Sequence, residues 1–148
     1  MIKIIVVANK FKHFTPAKEF FEKLLKNKKV KIEMLFPSKK PFPSNIQEES
    51  AKIIKILQKH PFYFKILLSE EGSQFTSVQF ASQVIDKHQD IVFVVWGARG
   101  VDQELLREHI NLKLSLSTLT FNHILATIVL LEQIYRSFNI LKGWSYHH

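Results

Sequence analysis

The chain has 148 residues, 46% hydrophobic and 23% charged, enough apolar material for one domain over residues 1–148 with a real core. Cysteine is absent, which excludes disulfides, a thiolate nucleophile and Cys-based zinc sites and is compatible with a reducing cytoplasm. The net charge of +8 sits at the front: residues 1–60 hold fourteen lysines against five acids, residues 61–148 seven bases against eight acids.

Such a basic half is suited to a polyanion such as nucleic acid. A lysine-rich solvated face has the same signature, and only three bases are arginine, the residue phosphate readers favour. The apolar start, Met1 to Val7, is too short for a signal peptide. The late apolar run Ile128 to Leu131 is cut by Glu132 and Gln133, so no membrane span is expected.

In chain order, Lys3 to Ala8 reads as a buried strand. Thr15-Pro16 signals a helix start, Thr as N-cap and Pro at the first helical position, with Phe20, Phe21, Leu24 and Leu25 as its apolar face. Val30 to Phe36 alternates as a second strand, with Val30, Ile32 and Met34 or Leu35 inward. Pro37, Pro41 and Pro43 stiffen a basic loop carrying Lys39 and Lys40. Ser44 and Gln47 form a capping-box pattern for a helix to about His60, with Ile46, Ile53, Ile54 and Leu57 as its stripe.

Phe62 to Leu68 is a third strand, ended by Ser69-Glu70-Glu71-Gly72. Thr76 and Gln79 make another capping box for a helix to about His88. Ile91 to Trp96 is a fourth strand, followed by Gly97-Ala98-Arg99-Gly100. A helix from Asp102 to about Ile110, a strand from Leu112 to Ser117, a hydroxyl-rich turn and a closing helix from His123 to Leu141 complete the order. The alternation predicts an α/β domain, a mostly parallel sheet with helices on both faces.

Three of the four glycines, Gly72, Gly97 and Gly100, follow strands three and four. Open parallel sheets bind ligands outside the carboxyl ends of their strands. The loops after Leu68, Val95 and Leu116 are therefore expected to converge on one pocket, with glycine admitting a ligand to the backbone. No GxGxxG, Walker loop, HExxH or GxSxG motif occurs, so neither a dinucleotide fingerprint nor a metal centre is expected.

Several stretches together resemble one family: Val6-Val7-Ala8-Asn9-Lys10, Phe93 to Val101, Leu114-Ser115-Leu116-Ser117-Thr118-Leu119-Thr120-Phe121-Asn122-His123, Glu132-Gln133-Ile134-Tyr135-Arg136 and Tyr146-His147. The chain resembles the RlmH-type 23S ribosomal RNA (pseudouridine-N3) methyltransferases of the SPOUT class over essentially its full length. The resemblance implies a C-terminal trefoil knot, S-adenosylmethionine as cofactor, 23S rRNA in the ribosome as partner, and a cytoplasmic homodimer. It implies cofactor contacts at Leu68, Trp96, Gly97, Leu116, Ser117, Thr118, Leu119, Thr120 and Phe121. It also implies roles in catalysis for Arg136, holding phosphate or developing negative charge, and for Tyr146 and His147 in a tail folded over the pocket.

The chain departs from the family pattern at four positions. Trp96 replaces the first of two glycines, Asn122 a proline and Thr127 an arginine of the RNA-facing region, and His148 ends the chain where Lys or Arg is usual. These departures keep open a catalytically impaired homologue that retains RNA or ribosome binding, and a knotted methyltransferase for another RNA. The closing helix is apolar around much of its circumference, which points to a partner subunit.

Overall fold

A computed structural model describes residues 1–147; His148 lies outside the described residues. Five strands, β1 (Ile2–Val7), β2 (Val30–Leu35), β3 (Phe64–Gln74), β4 (Ile91–Val95) and β5 (Leu112–Ser115), form one parallel sheet in the order β2-β1-β4-β3-β5. Its helices are α1 (Thr15–Leu24), α2 (Ser44–Gln58), α3 (Ser77–Phe80), α4 (Gln103–Leu106) and α5 (His123–Leu141). The mostly parallel sheet predicted from sequence is wholly parallel among the described residues.

Side-chain alternation divides the core. Ile4, Val6, Phe93 and Val95 face one side, packed with Phe80, the last residue of α3, and with Ile124, Leu130, Leu131 and Ile134 of α5. Ile5, Val7, Val92 and Val94 face the other, against Ile53 and Leu57 of α2 and Leu106 of α4. All five residues of β4 are buried, as a central strand covered on both faces must be. α5 is long and apolar enough to cross a membrane by length and composition, and here Leu130, Leu131 and Ile134 bury its inner face on the sheet.

Several local expectations need correction. Thr15 is not a cap: a 3-10 turn over Lys12–Phe14 runs straight into α1, with Phe14 at the N-cap. The Ser44/Gln47 box does not form either. α2 takes Pro43 as its N-cap, so Ser44 is already helical, and the Gln47 amide that Ser44 would cap donates to the Pro43 carbonyl. The Thr76/Gln79 box does form, each side chain accepting from the other's backbone N–H at 3.1 and 2.9 Å. Past α3 the helix widens into a π-turn over Ala81–Ile85.

β3 does not stop at Leu68. It loops out over Ser69 to Gly72 and resumes pairing with β5 at Ser73 and Gln74. Phe20 of the expected α1 face is 58% exposed, and the buried face of α2 carries Asn45, Glu49 and Ser50 beside Ile53 and Leu57.

Candidate active site

A cavity of about 480 Å³ opens at the carboxyl ends of β3, β4 and β5, a size ordinary for small-molecule sites. It is lined by Leu68, Ser69, Glu70, Val95, Trp96, Gly97, Ala98, Gly100, Leu114, Leu116, Ser117, Leu119, Thr120, Phe121, Asn122, His123 and Ala126. Every expected cofactor contact is on this wall except Thr118, which is exposed. Ser69, Glu70, Asn122 and His123 are wall residues the sequence reading assigned no cofactor contact.

The loop-out in β3 carries Ser69 and Glu70 to the wall. Its return depends on Gly72, where a Cβ would lie 2.6 Å from the backbone carbonyl of Lys113. Gly72 thus admits a neighbouring strand, not a ligand. Gly97 likewise packs on protein, its ideal Cβ falling 3.1 Å from Val7 Cγ1. Gly97 to Gly100 closes a tight turn, the Gly100 amide donating to the Gly97 carbonyl at 3.1 Å, and Gly100 adopts φ +98°. The Trp96 ring lies over Gly100 and packs on the α2/α4 side of the sheet. Its bulk is therefore absorbed largely on that face, and the cavity persists beside it.

The buried polar face of α2 supports this wall from behind. Ser50 Oγ accepts from the Asp102 amide at 2.9 Å, and Glu49 accepts from the Ser38 amide at 2.9 Å. Two loops at the mouth of the sheet are thereby tied to one helix.

The third wall is the loop from Leu116 to Asn122. Ser115 Oγ donates to the Ser117 carbonyl at 2.9 Å, and Ser117 Oγ accepts from the Leu119 amide at 3.0 Å. Thr120 donates to Glu70 at 2.6 Å, joining this loop to the β3 loop-out. Asn122, where the family pattern has a proline and a looser loop is expected, holds the loop in place. It keeps φ −54°, a value proline also adopts, and its side chain caps α5 by accepting from the Ile124 amide at 2.9 Å. Thr127 is fully buried, donating to the His123 carbonyl at 2.8 Å, so position 127 does not face outward toward RNA. His123 borders the cavity, and burial pushes its pKa below the ordinary imidazole value, leaving it neutral at pH 7.

Arg136, Tyr146 and His147 are brought together, but not at this cavity. Glu132 Oε1 accepts from Arg136 Nη2 at 2.6 Å, Arg136 Nε at 3.0 Å and the Tyr146 hydroxyl at 3.2 Å. Arg136 Nη1 lies 3.1 Å from His147 Nδ1. A guanidinium only donates, so Nδ1 accepts and the ring proton in this arrangement sits on Nε2. Tyr146 packs edge-on against Tyr135, its ring 4.9 Å from the guanidinium. Glu132, given no role from sequence, is the hub; its spacing of four from Arg136 was the available signal.

The tail therefore folds onto α5 rather than over the cavity. Arg136 stands ten residues beyond Ala126, about 15 Å along the helix axis. Burial, then the Glu132 charge, raises the Tyr146 pKa and keeps it a phenol, and hydrogen bonding to Glu132 raises that of Arg136.

A cavity with an apolar wall, a single carboxylate and exposed loop backbone suits a compact, partly cationic ligand. The family model described as "Predicted SPOUT methyltransferase" matches residues 1–147. The chain is 36% identical over 153 residues to the ribosomal RNA large subunit methyltransferase H of Pseudothermotoga lettingae, covering 99% of each chain. It is 32% identical over 166 residues to the like-named protein of Caldicellulosiruptor saccharolyticus, again covering 99% of each. Among solved structures, Archaeoglobus fulgidus Nep1 bound to S-adenosylhomocysteine gives a TM-score of 0.46 at 13% identity, over 72% of this chain and 62% of that one. With a full-length family match and full-length relatives above 30% identity, this chain belongs to the SPOUT methyltransferase family.

Proposed function

We propose that the chain is an S-adenosylmethionine-dependent methyltransferase that modifies N3 of a pseudouridine in 23S rRNA, acting in the cytoplasm as a homodimer. The observation that carries this reading is the convergence of the β3, β4 and β5 loops on one cavity in a chain of this family. The relatives' shared name supplies the RNA class. The trefoil passage of the C-terminal segment expected from sequence belongs to the same reading.

When bound, the cofactor supplies an electrophilic methyl carbon on a sulfonium. The residues of this chain do the rest. Leu116 and Phe121 form an apolar side of the cavity, and Glu70, held by Thr120, offers a carboxylate to a cationic or hydroxyl-bearing ligand. Methyl transfer is an in-line displacement, so rigid walls that fix the approach provide much of the rate. The nucleobase gives up its N3 proton to solvent, and Arg136 is suited to stabilise the resulting anion. Tyr146, held as a phenol, serves as a donor rather than as the base.

The separation of tail and cavity gives the dimer a purpose. A tail about 15 Å from its own cavity can meet a second copy's cavity without unfolding from α5. Leu125 and Leu141 of α5 and Phe20 and Leu24 of α1 are exposed apolar groups available to that contact.

The test is titration calorimetry of S-adenosylmethionine against the purified protein, paired with methyl transfer to ribosomes lacking the modification. Binding, one methyl per ribosome mapped to a 23S pseudouridine, and a dimer by light scattering are expected. Binding to ribosomes without cofactor binding or transfer would instead favour the impaired homologue.

A further inference from the structure

Far from the cavity, the turn after α1 and the last turn of α5 collect four lysines, Lys26, Lys28, Lys29 and Lys142, that no ion pair among the described residues engages. Lys28 reaches across to α5, its ammonium 5.4 Å from the centre of the Phe138 ring. The Lys142 amide donates to the Phe138 carbonyl at 3.2 Å, so Lys142 stands one turn beyond that ring. Gly143 (φ +70°) and a Trp144 amide bond to the Asn139 carbonyl at 2.9 Å end the helix and fix Trp144 in place. Trp144 is 58% exposed, with the Lys142 ammonium 4.9 Å from its ring centre. Lys26 and Lys29 flank the group and are exposed.

Among the described residues the ion pairs engage Met1, Lys3, Lys18, Lys40, Lys52, Arg107 and Arg136, and none engages these four lysines. Lys142 first, then burial, lowers the Lys28 pKa, as a neighbouring cation does. Cations at helix C-termini complement the helix dipole, which accounts for one lysine at each end. It does not account for Lys28 leaning across to α5, nor for an indole left in solvent beside it. Lys28 over Phe138 and Lys142 one turn further on, over Trp144, gather two cations at one place that an anion can bridge, and an exposed indole offers an unpaired base a stacking face.

We propose that Lys28 and Lys142 bridge an RNA phosphate while Trp144 stacks on a neighbouring unpaired base, guiding the strand toward the tail at Tyr146 and His147. The proposal rests on the reading of the chain as an RNA methyltransferase and adds an RNA contact outside the cavity.

The test uses Lys28→Gln, Lys142→Gln, their double variant and Trp144→Ala, each checked for unchanged melting. Binding of a fluorescein-labelled single-stranded RNA is followed by anisotropy across salt concentrations, and methylation is followed on ribosomes lacking the modification. Each lysine change should reduce the salt slope by about 0.7. Trp144→Ala should weaken binding about 5-fold or more at every salt concentration. KM for ribosomes should rise while S-adenosylmethionine affinity stays as in the wild type.

An unchanged slope and unchanged KM in the double variant would overturn the proposal. So would a double variant that loses dimerisation but keeps its RNA affinity, which would make this face a protein interface. If wild-type protein shows the lysine-dependent RNA slope yet methylates no ribosome, the methyltransferase reading fails and the phosphate contact stands.

Discussion

Gly72 separates two explanations of a glycine that look identical in sequence. A glycine after a strand at the ligand edge reads as a place for a ligand to approach. Here the close approach is made by the backbone of β5, and Gly72→Ala would set a methyl 2.6 Å from the Lys113 carbonyl group. No flexible side chain can yield there, so the strand pair must open. A stability loss of about 3 kcal/mol, the upper end for overpacking, is expected in a denaturant titration. Weakened S-adenosylmethionine binding should accompany it, because Ser69 and Glu70 ride on the same loop-out. A variant as stable as the wild type would show that the β3–β5 register is not fixed by this residue. The position of the loop was legible in sequence, whereas its purpose depends on a chain segment about forty residues away. The same limit applies to Thr127, which reads as a lost surface charge and proves to be buried.

At the scale of elements, α2 shows what pattern-reading captures and what it misses. Its existence and its Ile53 and Leu57 face follow from the helical period, but the buried Asn45, Glu49 and Ser50 break the apolar stripe. Those polar residues are there for the loops. Ser50→Ala leaves the Asp102 N–H without its acceptor, at a cost of about 1–3 kcal/mol if the group stays dry. Water can enter once the loop loosens, so the expected outcome is a modest fall in melting temperature with a clear loss of cofactor affinity. Calorimetry and a thermal melt on the same sample check it; equal affinity with a large drop in melting temperature would make Ser50 purely structural. Of the two capping boxes read from sequence, only Thr76/Gln79 formed. The other lost because Pro43 takes the N-cap place and its carbonyl accepts from the Gln47 amide, a competition fixed by loop geometry that residue types do not reveal. α5 was legible to both ends from its long apolar period, whereas Asn122, read only as a replaced proline, proves to be its cap.

At the scale of the whole molecule, the histidines set how the fold responds to acid. Burial is the first cause of a lowered pKa at His60, His88 and His123; neighbouring Lys3 adds to it at His60 and Lys87 at His88. His88 is also stacked on Phe64, ring centres 3.7 Å apart. A folded-state pKa below the unfolded value of about 6.5 means the unfolded chain binds more protons as pH falls through that value. Stability contributed by the neutral rings is thus complete above about pH 6.5 and is lost progressively below it. Glu48 acts lower down: Lys40 first, then Lys52, hold its carboxylate below the usual range, so its contribution fails only nearer pH 4. The melting temperature should hold between about pH 7 and 8 and decline from about 6.5 to 5. The chain already carries a net charge of +8, and acid adds to it, so self-repulsion would push the same way. Salt distinguishes the two. It screens repulsion between charges, the push of Lys3 and Lys87 on the rings included, but does not restore water to a partly buried ring, so part of the decline should persist in high salt. A profile flat to pH 5, or one restored fully by salt, would mean that these rings reach water freely and that the edges of the sheet at His60 and His88 are looser than their packing indicates.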